Sequence, residues 1–336
     1  MELIEVVYEE TNNYGPPDYD GLWKRIIDDL FKEFMQFFAP DLHDEIDFTK
    51  TPFPLKQEYY RRIIKTPKGK NIVDKIMQVS LKSGEEKWIL IHIEVQAKAN
   101  EEFSKRMFRY FYRIYDYFDR DIYAIALVTD KQKTPAPDQF NYSFYGTRID
   151  YTYNCYRFQD HTVDKLEQSN NPFAYAVIAG KYANQAKNNA EQRFAFKQKL
   201  MKQILKRFPL HDEQSRIYLQ GLFHFIEYLL QIPDNLQDKL ENELFEFVEK
   251  EGFHMHAEKR DELPTSPTLV NVIRKLIEKG VIEGVDYEDG MKEGKEEATR
   301  NFGKALINEN YSDKEIMKLT KLDLDEIEAL RKSPQD

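Results

Sequence analysis

Apolar residues recur at a helical interval from Asp20 to Phe38, at Leu22, Ile26, Ile27, Leu30, Phe34 and Phe37/Phe38. The spacing predicts an amphipathic helix, with Asp20 placed to cap it. A proline-rich linker over 51–54 leads to a short predicted helix at 55–64. The period then changes to two, and 72–81 and 87–96 read as strands joined by a polar connection containing Gly84, so a β-hairpin is expected. A helix over 101–118 follows, with Phe103, Met107, Tyr110/Phe111, Ile114 and Phe118 as its apolar stripe. The run IYAIALVTD (122–130) reads as a buried strand and 147–158 as another. Beyond residue 171 the pattern is helical, over 172–187, 191–207, 213–231 and 234–250.

This order predicts an α/β fold: a mixed sheet flanked by helices in residues 1–165, followed by an all-α C-terminal region. That region divides into a helical accessory domain over 166–261 and a charged helical tail over 262–336, set off by the segment DELPTSPT. In the tail, Ser312 with Glu315 and Asp323 with Glu326 have capping-box spacing. A helix-turn-helix there would present Asp325, Glu326 and Glu328 to phosphate, so helix packing or self-association is the expected role.

With 41% hydrophobic and 32% charged residues, 23 Phe and 21 Tyr, the composition is that of a folded globular protein. No apolar run approaches the roughly 18 residues that span a bilayer. The start, MELIEVVYEE, is acidic where a secretory signal is basic and then apolar. No membrane partner and a cytoplasmic location are therefore expected. Cys155, the one cysteine, excludes an intramolecular disulfide and a cysteine-based zinc cluster; in YTYNCYRF it reads as a packing residue. His254 and His256 lack further ligands and read as a loop pair.

The net charge of −10 argues against indiscriminate coating of nucleic acid. Distribution changes that picture. Between 56 and 82 stand Lys56, Arg61, Arg62, Lys65, Lys68, Lys70, Lys75 and Lys82 against Glu58 and Asp74, a stretch able to attract a polyanion. Residues 283–297 are acidic and do the reverse.

Candidate chemistry lies in the hairpin. Symmetry about Gly84 sets Asp74 opposite Glu94, with their Cβ atoms about 5 Å apart on one face. Alternation adds His92, Gln78, Gln96 and Lys98 to that face, and leaves Val73, Met77, Val79 and Leu81 with Ile89, Ile91, Ile93 and Val95 as the core face. Two carboxylates so close repel unless a proton or a cation lies between them. Mg²⁺ is held by such oxygen ligands and can activate water and polarise a phosphodiester. The alternative is an ordinary solvated sheet face, where acidic side chains are at home. On the 101–118 helix, Arg106, Arg109 and Arg113 form a basic stripe suited either to phosphate contacts or to surface pairs with Glu102 and Asp116.

The run VDKIMQVSLKSGEEKWILIHIEVQ resembles the core of the PD-(D/E)XK nuclease superfamily, in which an Asp on one strand and Glu-x-Lys on the next hold a metal. More narrowly, it resembles the recombination-promoting nucleases, or PD-(D/E)XK nuclease-family transposases. IHIEVQ, the helix FSKRMFRYFYRIYDYF, the strand ending in Thr129 and Asp130, YDGLWKRII, PLKQEYYRRI and SNNPFAYAVIA carry that likeness in order over about residues 20–260. It implies a restriction-endonuclease-like fold and a Mg²⁺- or Mn²⁺-dependent endodeoxyribonuclease with DNA as partner, linked to recombination or mobile elements. It further implies Asp74 and Glu94 as metal ligands, Gln96 at the lysine position, and Glu58 as an acidic contribution from the preceding helix. Gln96 departs from the superfamily pattern, since an amide carries no positive charge and is no general base near neutral pH; Lys98 is the candidate to supply the charge. Two other readings stand beside the nuclease: a catalytically weak or inactive nucleic-acid-binding protein that retains the fold, and a helical interaction protein that binds its partner through 171–330. Self-association fits each.

Overall fold

The computed structural model describes residues 19–55, 75–94, 101–129, 138–186, 189–208, 213–251 and 266–280, with parts of 307–332. In chain order the elements are α1 (Tyr19–Asp29), α2 (Phe31–Phe38), α3 (Pro40–His43), β1 (Phe53–Pro54), β2 (Lys75–Ser80), β3 (Glu86–Glu94), α4 (Glu101–Phe118), β4 (Ile122–Val128), β5 (Gln139–Phe144), β6 (Thr147–Thr152) and β7 (Asn154–Arg157). After a 3-10 turn at Phe158–Asp160 come α5 (Val163–Glu167), α6 (Phe173–Gln185), α7 (Ala190–Arg207), α8 (Glu213–Leu229), α9 (Asp234–Glu251), α10 (Pro267–Glu278) and α11 (Leu324–Lys332). Two compact units divide the chain, one comprising Pro16–Pro209 with Glu213–Leu240, the other chiefly Glu241–Asp336. Helices α6, α7 and α8, which the pattern assigns to an accessory region, thus share a unit with the sheet.

The mixed α/β character is as expected. Five strands lie in the order β1-β2-β3-β4-β7. β1, β2 and β3 form an antiparallel meander, and β3, β4 and β7 run parallel. α4 is the crossover that parallel neighbours require. Pro54 closes β1 on the sheet edge, where its missing N–H costs no ladder bond.

Alternation along β4 decides how the helices meet the sheet. Ala124 and Ala126 point to one side, where their small side chains let α4 approach; Phe103, Met107, Tyr110 and Ile114 pack there with Ile76. Burying each of those four α4 side chains contributes about 1.5–3 kcal/mol. Met77, Val79 and Ile89 are buried on the opposite side, where Lys75 reaches back to α1. The expectation of one core face and one polar face is therefore corrected. Both faces are covered, because a parallel crossover lays a helix over the side that carries Ile76.

The register is also corrected. Lys75 faces Ile91 and Ser80 faces Glu86, so the hairpin is centred on Ser83 and not on Gly84. The cause is local. Leu81 N–H donates to the Glu85 carbonyl at 2.8 Å, and Gly84 N–H donates to the Leu81 carbonyl at 2.8 Å. Gly84 sits at φ 86°, closing a three-residue loop in the left-handed conformation that glycine adopts readily.

On the side of α1, that helix and α2 pack against α6 and α8. They form two helices and not one, because the chain turns at Leu30 (φ −124°, ψ 40°), and Asp20 lies inside the first turn of α1. Trp23 fits edge-on between Phe158 and Phe225, at centroid distances of 5.3 and 4.8 Å. Gly180 of α6 is where this packing is tightest: a Cβ there would stand 3.0 Å from both the Phe158 and Trp23 rings. Gly180→Ala is expected to destabilise the unit by about 1–2 kcal/mol, overpacking outweighing the gain in helix propensity. A denaturant midpoint equal to or above that of the parent chain would contradict this.

His224 of α8 is largely buried beside Arg25. Desolvation, reinforced by that cation, pulls its pKa down to about 4. The unfolded value is near 6.5, so between those limits the unfolded chain binds the proton and the folded one does not. Stability is therefore complete above about pH 7, falls as the pH drops from 6.5 towards 4, and levels below that, for a total of roughly 3 kcal/mol. Unfolding curves of His224→Leu should lack this share of the acid slope, and an unchanged slope would refute the assignment.

In the smaller unit, Ser266 caps α10 through Leu269 N–H, with Pro267 in its first turn. Asn271 of α10 donates to Glu241 at 2.9 Å. Ile316, Leu322 and Ile327 form a separate small core, which agrees with packing as the expected role of the last helices. Ser312, Glu315, Asp323 and the side chains of Asp325 and Glu328 lie outside the described residues.

Candidate metal centre at the carboxyl edge of the sheet

Because β3, β4 and β7 are parallel and β2 antiparallel to β3, four chain positions meet at one edge of the sheet. They are the start of β2 at Lys75, the end of β3 at Glu94, the end of β4 at Val128 and the end of β7 at Arg157. In open α/β sheets, ligands bind outside the carboxyl ends of strands, where loops converge and both faces are already filled. Among these four described strand ends Glu94 is the acidic one. Its backbone pairs in register with Val128.

Other residues at this edge are held in place. Lys75 is buried, donates to the Lys24 carbonyl at 3.0 Å and pairs with Asp28. Thr129, next after β4, is 2% exposed, and its carbonyl accepts from Asn184 of α6 at 2.7 Å. Arg157 lies 3.9 Å from Asp160. Lys181 of α6, also buried, donates to the Phe158 carbonyl at 2.8 Å, and burial lowers its pKa. His161 stacks on Tyr156 at 4.3 Å, and desolvation lowers its pKa too. Sequence reasoning did not single out Arg157, and it named Thr129 only within the strand ending in Thr129 and Asp130. The signal was the strand-ending position each occupies in a run of parallel strands.

Of the residues expected to carry chemistry, Glu94 is placed by its backbone, while Asp74, Glu58, Gln96 and Lys98 lie outside the described residues. Among the described residues no group of three or more His, Cys, Asp or Glu gathers as a metal site. His254 and His256 lie outside them as well.

Arg106, Arg109 and Arg113 are on α4, whose N-terminus follows the end of β3. At 1.5 Å per residue, Arg106 stands about 8 Å along the axis from Glu101 and Arg113 about 18 Å, so the stripe leads away from the edge. Arg106 lies over the Phe103 ring at 5.5 Å. Neither Arg109 nor Arg113 forms an ion pair with a described residue; Glu102 sits instead 3.9 Å from Lys105. Arg109 and Arg113 are thus not paired with Glu102 or Asp116, as the surface-pair alternative had them. In the basic stretch over 56–82, Lys75 and Lys82 are the described cations, and both donate to backbone carbonyls, Lys82 to Asp44.

Tyr153 hydrogen-bonds Ser104 at 3.0 Å beneath α4, and burial pushes its pKa up to about 12. The Cys155 thiol is pushed up to about 11 by the same cause, which suits packing and not nucleophilic chemistry. No helix of the described residues is long and apolar enough to cross a membrane. Comparison with protein-family models, with curated proteins and with solved structures finds no match.

Proposed function

We propose that this chain is a metal-dependent endodeoxyribonuclease that hydrolyses DNA phosphodiesters with Mg²⁺ or Mn²⁺, on a restriction-endonuclease-like sheet. The observation that carries the reading is the position of Glu94, an acidic residue ending a central strand at the edge where the parallel strands finish. Asp74 lies outside the described residues, and the nuclease reading requires that its carboxylate and that of Glu94 share one cation.

Carboxylate and amide oxygens are the hard donors that Mg²⁺ prefers. When bound there, the cation supplies a Lewis acid and a water acidified towards neutral pH. Asp74 and Glu94 hold it, with Glu58 as a further acidic contributor. Gln96 orients water or donates to a phosphate oxygen, and Lys98 brings the positive charge that the amide lacks. Arg106, Arg109 and Arg113 contact the DNA backbone. The ordered resemblance to recombination-promoting nucleases supports the same reading and its link to mobile elements.

The test is cleavage of supercoiled DNA, linear DNA and RNA by the purified chain in Mg²⁺, Mn²⁺, Ca²⁺ or chelator. Expected are DNA cleavage with the first two metals, none with chelator, and none from Asp74→Ala. Cleavage indifferent to Asp74→Ala would sink the proposal. A second reading, nucleic-acid binding without turnover, is favoured by Gln96 and by the engagement of Lys75 and Lys82. It predicts DNA retention that needs no metal and yields no product.

A further inference from the structure

The β5–β6 hairpin carries an edge without a strand partner among the described residues, and an aromatic tip, neither of which the proposed nuclease chemistry uses. Its base is anchored on α4, where Phe140 stacks on Phe108 at 5.0 Å and Tyr151 meets Phe111 at 4.8 Å. Further out it is bare: Phe144 is 59% exposed and Tyr145 96%. Tyr145 and Gly146 form a two-residue turn with φ of 40° and 89°. Asn, Asp or Gly would adopt the first of these more easily than Tyr, so the ring is kept there against a backbone cost.

The pairing of β5 with β6 fixes which way the free backbone points. Phe144 faces Thr147 across the turn, Tyr142 faces Ile149 and Phe140 faces Tyr151. A two-residue loop is closed by a hydrogen-bonded pair, so Thr147, Ile149 and Tyr151 turn their amides towards β5. Arg148, Asp150 and Thr152 direct theirs outward. Among the described residues no strand pairs with that outer edge. Exposed edges of this kind recruit another strand unless blocked.

We infer that two copies of this chain join through the outer edges of β6, antiparallel and centred on Ile149, into a four-stranded sheet. The occupant follows from charge. The outward-facing residues permit three neighbouring two-fold registers. One sets Arg148 against Arg148 of the second copy, one sets Asp150 against Asp150, and the middle one sets each Arg148 against Asp150 of the second copy. Like charges directly opposed are unfavourable and unlike charges favourable, so the middle register wins. Arg148 and Asp150 are exposed and joined within one hairpin at 2.7 Å, so both are ready to exchange partners across the symmetry axis. The same register brings Ile149 beside its own copy on the apolar face. It also sets Gly146 against Thr152, which carries Tyr145 to the base of the opposite hairpin. A polyanion gains nothing from an edge on which one cation and one anion alternate, so a second copy is favoured over nucleic acid.

Sedimentation and light scattering of the full chain over a range of concentrations test this. Expected is a concentration-dependent dimer that Arg148→Glu and Asp150→Arg each weaken by about tenfold or more, since each reversal converts two attractive pairs into repulsive ones. The double variant Arg148→Glu/Asp150→Arg should restore the parent affinity. Oxidised Ile149→Cys, on a Cys155→Ser background, should link two chains by a disulfide, and it does so without relying on the charged pair. A monomer at every concentration, a dimer indifferent to the reversals, or singles not rescued by the double variant would each overturn the inference. Changed DNA binding in these variants at unchanged mass would overturn it too, assigning the edge to nucleic acid. None of these results depends on cleavage activity.

Discussion

Replacement of Glu94 by alanine is expected to reduce metal-dependent DNA cleavage by more than about 100-fold, a loss larger than removal of an outer-shell partner of a metal ligand causes. The substitution removes a carboxylate at the last residue of β3 and leaves the Val128 backbone pairing intact. Folding should therefore survive, and a thermal melt run alongside separates lost chemistry from lost structure. Glu94→Gln sharpens the result. It keeps the volume and one hard oxygen but removes the charge, so cleavage should fall nearly as far as in the alanine variant and recover in part at raised Mn²⁺. Single-turnover cleavage with either variant at the parental rate would show that Glu94 holds no catalytic cation. Parental binding of DNA with no cleavage by the unsubstituted chain would favour the non-catalytic reading instead.

The long helices α4 and α7 to α9 were legible because their burial repeats every three to four residues; α6 is buried at every position from Phe173 to Tyr182, and it too lies, like the others, within two residues of its predicted span. β4 was legible for a different reason, being a short apolar run buried on both sides. The hairpin register was not. Strand alternation has a period of two, so shifting one strand by two residues leaves every side chain on its own face, and no hydrophobic pattern can detect the shift. Only the turn decides it, through Gly84 taking the loop's last position. The covering of both sheet faces was hidden as well, since Gln78 and Ser80 gave that side a polar look while α4 was bringing Phe103 and Met107 onto it. The single strand expected over 147–158 is two, β6 and β7, broken at Tyr153, and β5 was passed over. Its signal was present in the alternation of Phe140, Tyr142 and Phe144 ahead of Gly146. Within the candidate site, Glu94 was read inside a strand over 87–96, and it is the last residue of β3. The capture of Lys75 by α1 could not be read, because its partners are distant in sequence.

Replacing Lys197 by methionine is expected to cost the larger unit about 3–5 kcal/mol, the loss that follows when one member of a buried ion pair is removed. Lys197 is 1% exposed, and its ammonium lies 2.8 Å from the Glu227 carboxylate and 3.3 Å from the Gln237 side-chain oxygen. The contact ties α7 to α8 and to the start of α9. Lys197 follows Phe194 by three residues and precedes Met201 by four, both buried, so it stands at a core position of α7. A methionine there fills most of the volume yet leaves the Glu227 charge without its ammonium. For a unit of this size each kcal/mol moves the melting temperature by about 2–4 °C, so a drop of roughly 10 °C is expected. Lys197→Met/Glu227→Leu should regain most of that loss, since the desolvation penalty disappears together with the attraction. The cycle separates pairing from packing: a double variant that melts at or below the single one would mean that shape, and not charge, makes Lys197 necessary to the helical layer.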